Sequence, residues 1–188
     1  MIEVRRMLKS TPQFKVEGGK EAEKSEELIV RCEGKEVVIK GDRLYTRMHM
    51  WAKKAVEGCF KVGLTDYAQK FIREKVGLVE VFKNPTVGND VEAGEVFGVV
   101  YGRPYANLDL MEWECMAFDL TAPLSGWIVE INHRVMERPQ LINEDPYGEG
   151  WVAIIKPTEN QSGLDDLITP KKYKKFLERR ERSPFRIL

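Results

Sequence analysis

Asn143-Glu144-Asp145-Pro146-Tyr147-Gly148-Glu149-Gly150-Trp151 is a loop sequence that leads straight into the β-like run Trp151-Val152-Ala153-Ile154-Ile155. Its proline and two glycines fix backbone turns. Gly148 and Gly150 are therefore interpreted as turn residues and not as a phosphate cradle. The stretch predicts a fixed turn followed by a strand.

The central part of the chain continues this pattern, with short β-like runs separated by turn residues. The runs include residues 77–82, 96–100 and 127–132. Their spacing predicts a mainly β sandwich or barrel rather than alternating strands and helices. One short helix is expected at 65–72, where Thr65 can cap the N-terminus.

The two ends of the chain differ from this centre. Residues 1–41 are expected to form an extension with a possible β-hairpin at 28–39, either added to the edge of the main sheet or held as a flexible arm. Residues 158–188 are a tail with a basic amphipathic helix. Thr169 and Pro170 are suited to begin that helix.

The tail helix has two distinct faces. Its apolar face consists of Tyr173, Phe176 and Leu177, and its basic face of Lys171, Lys172, Lys175 and Arg179. At this charge density the basic face is interpreted first as a solvated surface. The functional alternatives are docking on an acidic protein and weak contact with nucleic acid, and Glu178, Glu181 and the acidic centre of the chain argue against the second.

Composition narrows the class of protein. A chain of 188 residues with 43% hydrophobic residues can bury one core. Because 30 basic residues balance 30 acidic ones, the chain has no net charge that would attract nucleic acid or a membrane. No apolar run is long enough for a membrane span, so the cytoplasm is the expected location. Neither a nucleic acid nor a membrane is an expected partner.

No catalytic or metal-binding pattern stands out. The three cysteines, Cys32, Cys59 and Cys115, form no C-x-x-C pair and are expected to be reduced thiols. The spacing of the two histidines, His49 and His133, matches no recognised set of metal ligands, so no metal is expected. No catalytic residue is assigned, and the chain is expected to be a carrier or accessory protein rather than an enzyme.

Lysine is absent between Lys83 and Lys156. Inside this gap lies the run Met111-Glu112-Trp113-Glu114-Cys115-Met116-Ala117-Phe118-Asp119-Leu120-Thr121-Ala122-Pro123. Its only thiol belongs to Cys115, at the centre of the run.

Five motifs in order along the chain resemble the H protein family of the glycine cleavage system. They read Tyr45-Thr46-Arg47-Met48-His49-Met50-Trp51, Val62-Gly63-Leu64-Thr65-Asp66-Tyr67-Ala68-Gln69, Gly98-Val99-Val100, Ala122-Pro123-Leu124-Ser125-Gly126 and the loop at 143–151. The resemblance implies a barrel-sandwich hybrid, the fold of lipoyl and biotinyl domains, with short helices and a C-terminal helix. Residues 42–157 would form this lipoyl-type domain.

The resemblance also implies where a cofactor would be attached. In that family a hairpin presents a lysine joined to lipoate, which shuttles an aminomethyl group and electrons among partner enzymes. The lysine stands eight residues before the proline of the Pro-Leu-Ser-Gly turn, and the same count back from Pro123 reaches Cys115. Glu112 matches a family glutamate three residues earlier.

This chain departs from the family in three ways. A cysteine cannot form the amide that lipoate requires, so lipoate is expected to be absent. About eleven residues near 101–111 are inserted between the strand at 96–100 and the hairpin tip. The tail helix is basic, where the family's is typically acidic.

The candidate site is therefore Cys115 with its surroundings at the hairpin tip. Those surroundings are Glu112, Trp113, Glu114, Met116 and Phe118. The thiol is either buried and inert or exposed and able to carry a persulfide, an acyl group or a mixed disulfide. The aromatic and methionine side chains either form a docking patch or are buried when the insertion folds back.

The leading functional hypothesis is a non-catalytic carrier-fold protein that cannot be lipoylated at the usual site. It would act as a protein-interaction module or as a carrier through Cys115. Its expected partners are proteins, including glycine-cleavage-type or sulfur- and acyl-transfer enzymes. One alternative is a working component of a glycine-cleavage or one-carbon complex that uses Cys115 or a non-covalent cofactor, and another is a regulatory or structural binding module.

Overall fold

The fold is described for residues 26–72, 75–82, 87–108, 110–158 and 163–182 in a computed structural model. The strands are β1 (Glu27–Cys32), β2 (Lys35–Lys40), β3 (Leu44–Tyr45), β4 (Met50–Lys54), β5 (Phe60–Leu64), β6 (Val76–Val81), β7 (Asp90–Val91), β8 (Val96–Gly102), β9 (Tyr105–Asn107), β10 (Glu112–Glu114), β11 (Ala117–Thr121), β12 (Gly126–Ile131) and β13 (Trp151–Pro157). The helices are α1 (Asp66–Phe71), α2 (His133–Glu137), α3 (Leu141–Glu144) and α4 (Pro170–Arg182).

Two antiparallel sheets enclose the main core. The larger has the strand order β3-β4-β5-β13-β12-β7, and the smaller has the order β11-β8-β6. Side chains from both sheets are fully buried between them, among them Val62, Phe97, Leu120, Ile128 and Val152. The expected mainly β barrel-sandwich hybrid with short helices is confirmed, because alternating apolar residues of each sheet face the other.

The strands and helices begin close to where the sequence predicts them. The runs expected at 77–82, 96–100 and 127–132 are β6, β8 and β12. Helix α1 starts directly after Thr65, whose hydroxyl accepts a hydrogen bond from the Ala68 amide at 3.3 Å. The predicted N-terminal cap of this helix is therefore present.

The N-terminal hairpin is neither an edge strand of the main sheet nor a free arm. Strands β1 and β2 pair only with each other in the described part of the chain. Val37 and Ile39 are fully buried in a second apolar cluster that also contains Tyr173 and Leu177 of α4. The hairpin keeps a separate sheet because it packs its apolar face on this helix.

The loop at 143–151 fixes its own turns and also ties distant parts together. The Asp145 carboxylate accepts hydrogen bonds from the amides of Gly148 and Glu149, at 3.0 and 2.9 Å. The Tyr147 hydroxyl donates to the Val38 carbonyl at 2.7 Å, which links the loop to the N-terminal hairpin. These hydrogen bonds agree with the structural role predicted for the loop.

Candidate functional site

The hairpin that contains Cys115 is longer than the sheet it belongs to. Strands β8 and β11 pair within the smaller sheet, and β9 and β10 extend them as a two-stranded ribbon. Tyr101 faces Ala117 in the first ladder, whereas Tyr105 faces Glu114 in the second. Three residues on one arm therefore lie opposite two on the other.

This mismatch forms a bulge directly opposite Cys115. The Gly102 amide donates to the Met116 carbonyl at 2.8 Å, so the first ladder continues through that pair. Arg103 and Pro104 are then left facing the single residue Cys115. Pro104 has no amide hydrogen to give to a ladder, which accounts for the interruption at this point.

Cys115 is exposed. It lies at the base of the ribbon, between β10 and β11, and not at the outermost turn, because the insertion near 101–111 supplies β9, which pairs with β10. The other two cysteines provide a contrast, since Cys32 is buried and Cys59 is half-buried. The interpretation of Cys115 as a buried thiol is thereby excluded.

The ribbon has a polar face and an apolar face. Directly paired residues share a face, so Tyr105 and Glu114 lie on one side and Ala106 and Trp113 on the other. The Tyr105 hydroxyl donates to the Glu114 carboxylate at 2.9 Å. The Trp113 side chain on the opposite face is 76% exposed.

Further apolar side chains near the end of the ribbon are exposed as well. We call Leu108, Leu110, Met111 and Trp113 the ribbon surface; Leu108 is 79% and Met111 85% exposed. Met116, nearer the base, is exposed as well. Single exposed apolar residues are ordinary, whereas several close together in sequence are a candidate interaction surface.

Phe118 does not belong to this exposed group. It is half-buried and packs against the main core. Its ring lies 6.0 Å from the ring of His49. Because neighbouring strand residues alternate between faces, Phe118 points away from the side on which its neighbours Ala117 and Asp119 are exposed.

His49 joins the base of the hairpin to helix α4. Its Nδ1 lies 2.7 Å from the Tyr173 hydroxyl, and its Nε2 lies 3.0 Å from a guanidinium nitrogen of Arg180. A guanidinium can only donate, so Nε2 accepts and Nδ1 carries the ring hydrogen. Nδ1 then donates to Tyr173, whose hydroxyl donates to Thr65 Oγ1 at 3.2 Å.

Burial, together with the positive charge of Arg180, lowers the pKa of His49 to about 3. The imidazole is therefore neutral near pH 7 and is held by both nitrogens. Because Nε2 accepts from Arg180 and Nδ1 carries the ring hydrogen, neither nitrogen has a free lone pair for a metal. Across the described ranges, no three His, Cys, Asp or Glu residues are grouped so that they could hold a metal ion.

Two features of this region were not predicted from the sequence. One is the bulge at Arg103 and Pro104, for which a proline between two β-like runs was the available signal. The other is the contact of Arg180 with His49, which joins residues 131 positions apart and leaves no local pattern.

None of the helices in the described residues is both long and apolar enough to cross a bilayer.

The comparisons with known proteins agree on one family. The family model described as "Glycine cleavage H-protein" matches residues 43–180. The glycine cleavage system H protein of Carboxydothermus hydrogenoformans is 41% identical over 142 residues, which are 75% of this chain and 95% of that protein. A probable glycine cleavage system H protein of Saccharolobus solfataricus is 38% identical, over 72% of this chain and 88% of that one.

A solved structure gives the same result. The crystal structure of a glycine cleavage system H protein from Mycobacterium marinum is similar with a TM-score of 0.57 and 33% sequence identity. The match covers 72% of this chain and 96% of that chain. The N-terminal hairpin at 27–40 lies before the range that the family model matches.

Proposed function

The chain belongs to the glycine cleavage H-protein family, and from this premise we propose that it is a carrier or accessory protein that is not lipoylated on its hairpin. It acts through the hairpin, either as a protein-interaction module or as a carrier that uses the Cys115 thiol. The observation that supports this most directly is an exposed cysteine in a segment, residues 84–155, that contains no lysine.

Lysine and cysteine differ in the covalent bonds that they can form with a carried group. Lipoate is joined to a protein through an amide, which needs an amine, and a thiol cannot supply one. A thiol can instead exchange with a partner's disulfide, persulfide or thioester. In each case the Cys115 thiolate attacks and a partner thiolate leaves, so one bond to sulfur or acyl carbon forms as another breaks and no outside oxidant is required.

The position of Cys115 supports such an exchange. It faces the bulge at Arg103 and Pro104, where the ladder is interrupted, and the apolar ribbon surface begins beyond it. A partner that contacts the ribbon would therefore approach the thiol as well. The interaction and the carrier roles are compatible for this reason.

The first test is the mass of the intact chain after incubation with a lipoate ligase, lipoate and ATP. We expect no added lipoyl group, while the Carboxydothermus hydrogenoformans relative in a parallel reaction serves as the positive control. Peptide mapping locates any adduct. An adduct within residues 84–155 overturns the proposal.

The second test measures the reactivity of each cysteine toward iodoacetamide in the native state. Cys115 should be alkylated first, whereas Cys32, with 2% of its surface exposed, should react only after unfolding. A Cys115 that stays unmodified in the native protein would exclude the thiol-carrier role. The protein-interaction role would then remain.

Family membership supports one other function, a working part of a glycine-cleavage or one-carbon complex. Its assay is the exchange of glycine carboxyl with bicarbonate, reconstituted with the decarboxylase partner. Exchange that is lost in Cys115→Ser but kept in Cys59→Ser would favour this function over the accessory role. Absence of exchange with the wild-type chain would favour the accessory role.

A further inference from the structure

The outer edge of β2, in the N-terminal hairpin, is closed by side chains from other elements. The Val38 amide donates to a carboxylate oxygen of Asp66 at 2.8 Å, and the Val38 carbonyl accepts from the Tyr147 hydroxyl at 2.7 Å. Two more carbonyls on this edge, those of Glu36 and Lys40, also accept hydrogen bonds from side chains. No further strand can pair with β2 on this side.

The bonds of Val38 determine which peptide groups of β1 point away from β2. Directly opposed residues of an antiparallel pair exchange both backbone hydrogen bonds or neither. Val38 lies opposite Ile29 and uses both of its groups on the outer edge. The amide and carbonyl of Ile29 are therefore directed to the free edge of β1. Because the pattern alternates, the peptide groups of Glu27 and Arg31 point the same way.

The free edge of β1 is not closed in this manner. The Gly41 amide donates to the Glu26 carbonyl at 2.7 Å, as the alternation requires for the pair next to Glu27. Outside the hairpin, no residue that the structure describes bonds to the peptide groups of Glu27, Ile29 or Arg31. Strand β1 has no proline and pairs with β2 without a bulge, so it lacks two devices that prevent an edge from pairing.

The side chains of these three residues share the outward face of the hairpin. Glu27, Ile29 and Arg31 are all exposed. Val30 and Cys32 alternate with them and are buried in the cluster that contains Tyr173 and Leu177 of α4. Helix α4 thus packs against the inward face of the hairpin. A further strand beside β1 would extend the exposed face.

The order of the exposed side chains on β1 is self-complementary. If a second β1 lies antiparallel beside the first with Ile29 opposite Ile29, each Glu27 lies opposite Arg31 of the other copy. Cross-strand pairs of opposite charge stabilise a sheet, and pairs of like charge destabilise it. A parallel arrangement in register would place Glu27 opposite Glu27. The antiparallel arrangement is the one favoured by charge.

The charges of β2 fit the same arrangement. Within one hairpin Lys40 forms an ion pair with Glu27, and Glu36 lies opposite Arg31. Across the two hairpins the row of side chains would read Lys40, Glu27, Arg31, Glu36, in which the sign alternates at every step. Arg31 has no ion pair with any described side chain of its own copy, so its charge is available to the second copy.

We propose that the chain forms a two-fold dimer in which the free edge of β1 pairs antiparallel with β1 of a second copy, Ile29 opposite Ile29. The two hairpins then form one four-stranded sheet in the order β2-β1-β1-β2. The same edge is used by both copies, so the assembly closes at two. A pair of six-residue strands buries less than the roughly 1,200 Å² of a standard interface, and the dimer is therefore weak.

This dimer belongs to the N-terminal extension of the chain. The hairpin precedes the range that the glycine cleavage H-protein model matches. The inference is independent of the function proposed for Cys115, and Cys115→Ser should leave the dimer unchanged.

Sedimentation velocity of the full chain over a concentration series tests the dimer. A reducing agent is present throughout, so that the exposed Cys115 forms no disulfide between copies. We expect a monomer–dimer equilibrium. Glu27→Arg and Arg31→Glu should each raise the dissociation constant about tenfold or more, because like charges then face each other at both ends of the strand pair.

The combination of the two substitutions is the decisive variant. In Glu27→Arg with Arg31→Glu, opposite charges again face each other, and the dissociation constant should return to near that of the wild type. Glu80→Arg makes the same charge change as the first substitution at an exposed residue of β6 and should have no effect. Melting curves show that each variant is folded.

Hydrogen exchange of the backbone amides locates the contact. The amides of Glu27, Ile29 and Arg31 should exchange more slowly when the protein concentration is above the dissociation constant than when it is below. The amides of Leu28 and Val30, which bond to β2, should be protected at both concentrations. Ile29→Pro removes an amide that the hairpin itself does not use and should abolish the dimer.

Three results would overturn the inference. One is a wild-type chain that stays monomeric at every concentration. Another is a dimer whose dissociation constant is unchanged by both single charge reversals and by Ile29→Pro. The third is a folded double variant that stays as dissociated as the single ones, because the register with Ile29 opposite Ile29 requires its recovery.

Discussion

At the scale of single residues, His49 is the side chain whose protonation should govern stability in mild acid. Its pKa is lowered to about 3 in the fold, against 6.5 for an ordinary histidine. Below pH 6.5 the unfolded chain gains a proton that the folded chain does not, so stability falls as the pH falls. Between pH 6.5 and 4.5 we expect the free energy of unfolding to decrease by about 2 kcal/mol from this residue.

Urea unfolding at several pH values measures this dependence. His49→Asn tolerates the positive φ of 61° at this position and should remove this part of the slope. It should also lower stability at pH 7.5 by about 2 kcal/mol, since Tyr173 and Arg180 lose their partner. His133→Asn, at an exposed histidine, is the control. Equal pH slopes in wild type and His49→Asn would contradict the neutral, buried state of this ring.

At the scale of elements, the N-terminal hairpin depends on packing and not on its turn. Ile39 of β2 is fully buried against α4, whereas Ile29 of β1 is 55% exposed. Ile39→Ala should therefore lower the free energy of unfolding by about 3 kcal/mol, from lost burial and the cavity left behind. Ile29→Ala makes the same chemical change in the same hairpin and should cost about 0.5 kcal/mol or less. Similar losses in the two variants would mean that the hairpin does not pack on α4.

At the scale of the whole molecule, strand β4 connects the two apolar clusters. Met50 and Ala52 face the main core, and Trp51 between them faces the cluster that contains the hairpin and α4. The Trp51 indole donates to the carbonyls of Leu64 and Pro146, both at 3.0 Å. Because one strand supplies both clusters, neither should lose its packing without the other.

We therefore expect a single cooperative unfolding transition. Far-ultraviolet circular dichroism, which follows the sheets, and near-ultraviolet dichroism, which follows the buried aromatic rings, should give the same midpoint. Trp51→Phe removes both hydrogen bonds and should lower that midpoint for the two probes together. Two separated midpoints in the wild-type protein would show that the clusters unfold independently.

The local elements followed from local signals. Thr65, Thr169 and Pro170 begin helices where the capping rules place them, because a cap is a contact between residues two or three apart. The same is true of the loop at 143–151, whose Asp145 carboxylate binds amides three and four residues later.

The sequence alone indicated the family of the protein and the chemical group available at position 115. The motif order indicated the fold, and a cysteine in a lysine-free hairpin is a matter of covalent composition. The tertiary structure decided that Cys115 is exposed opposite a bulge and that Trp113 faces outward while Phe118 faces the core. It also decided that His49 is neutral, because burial and the positive charge of Arg180 lower its pKa. These depend on strand register and on contacts between distant residues, which no local pattern in the chain encodes.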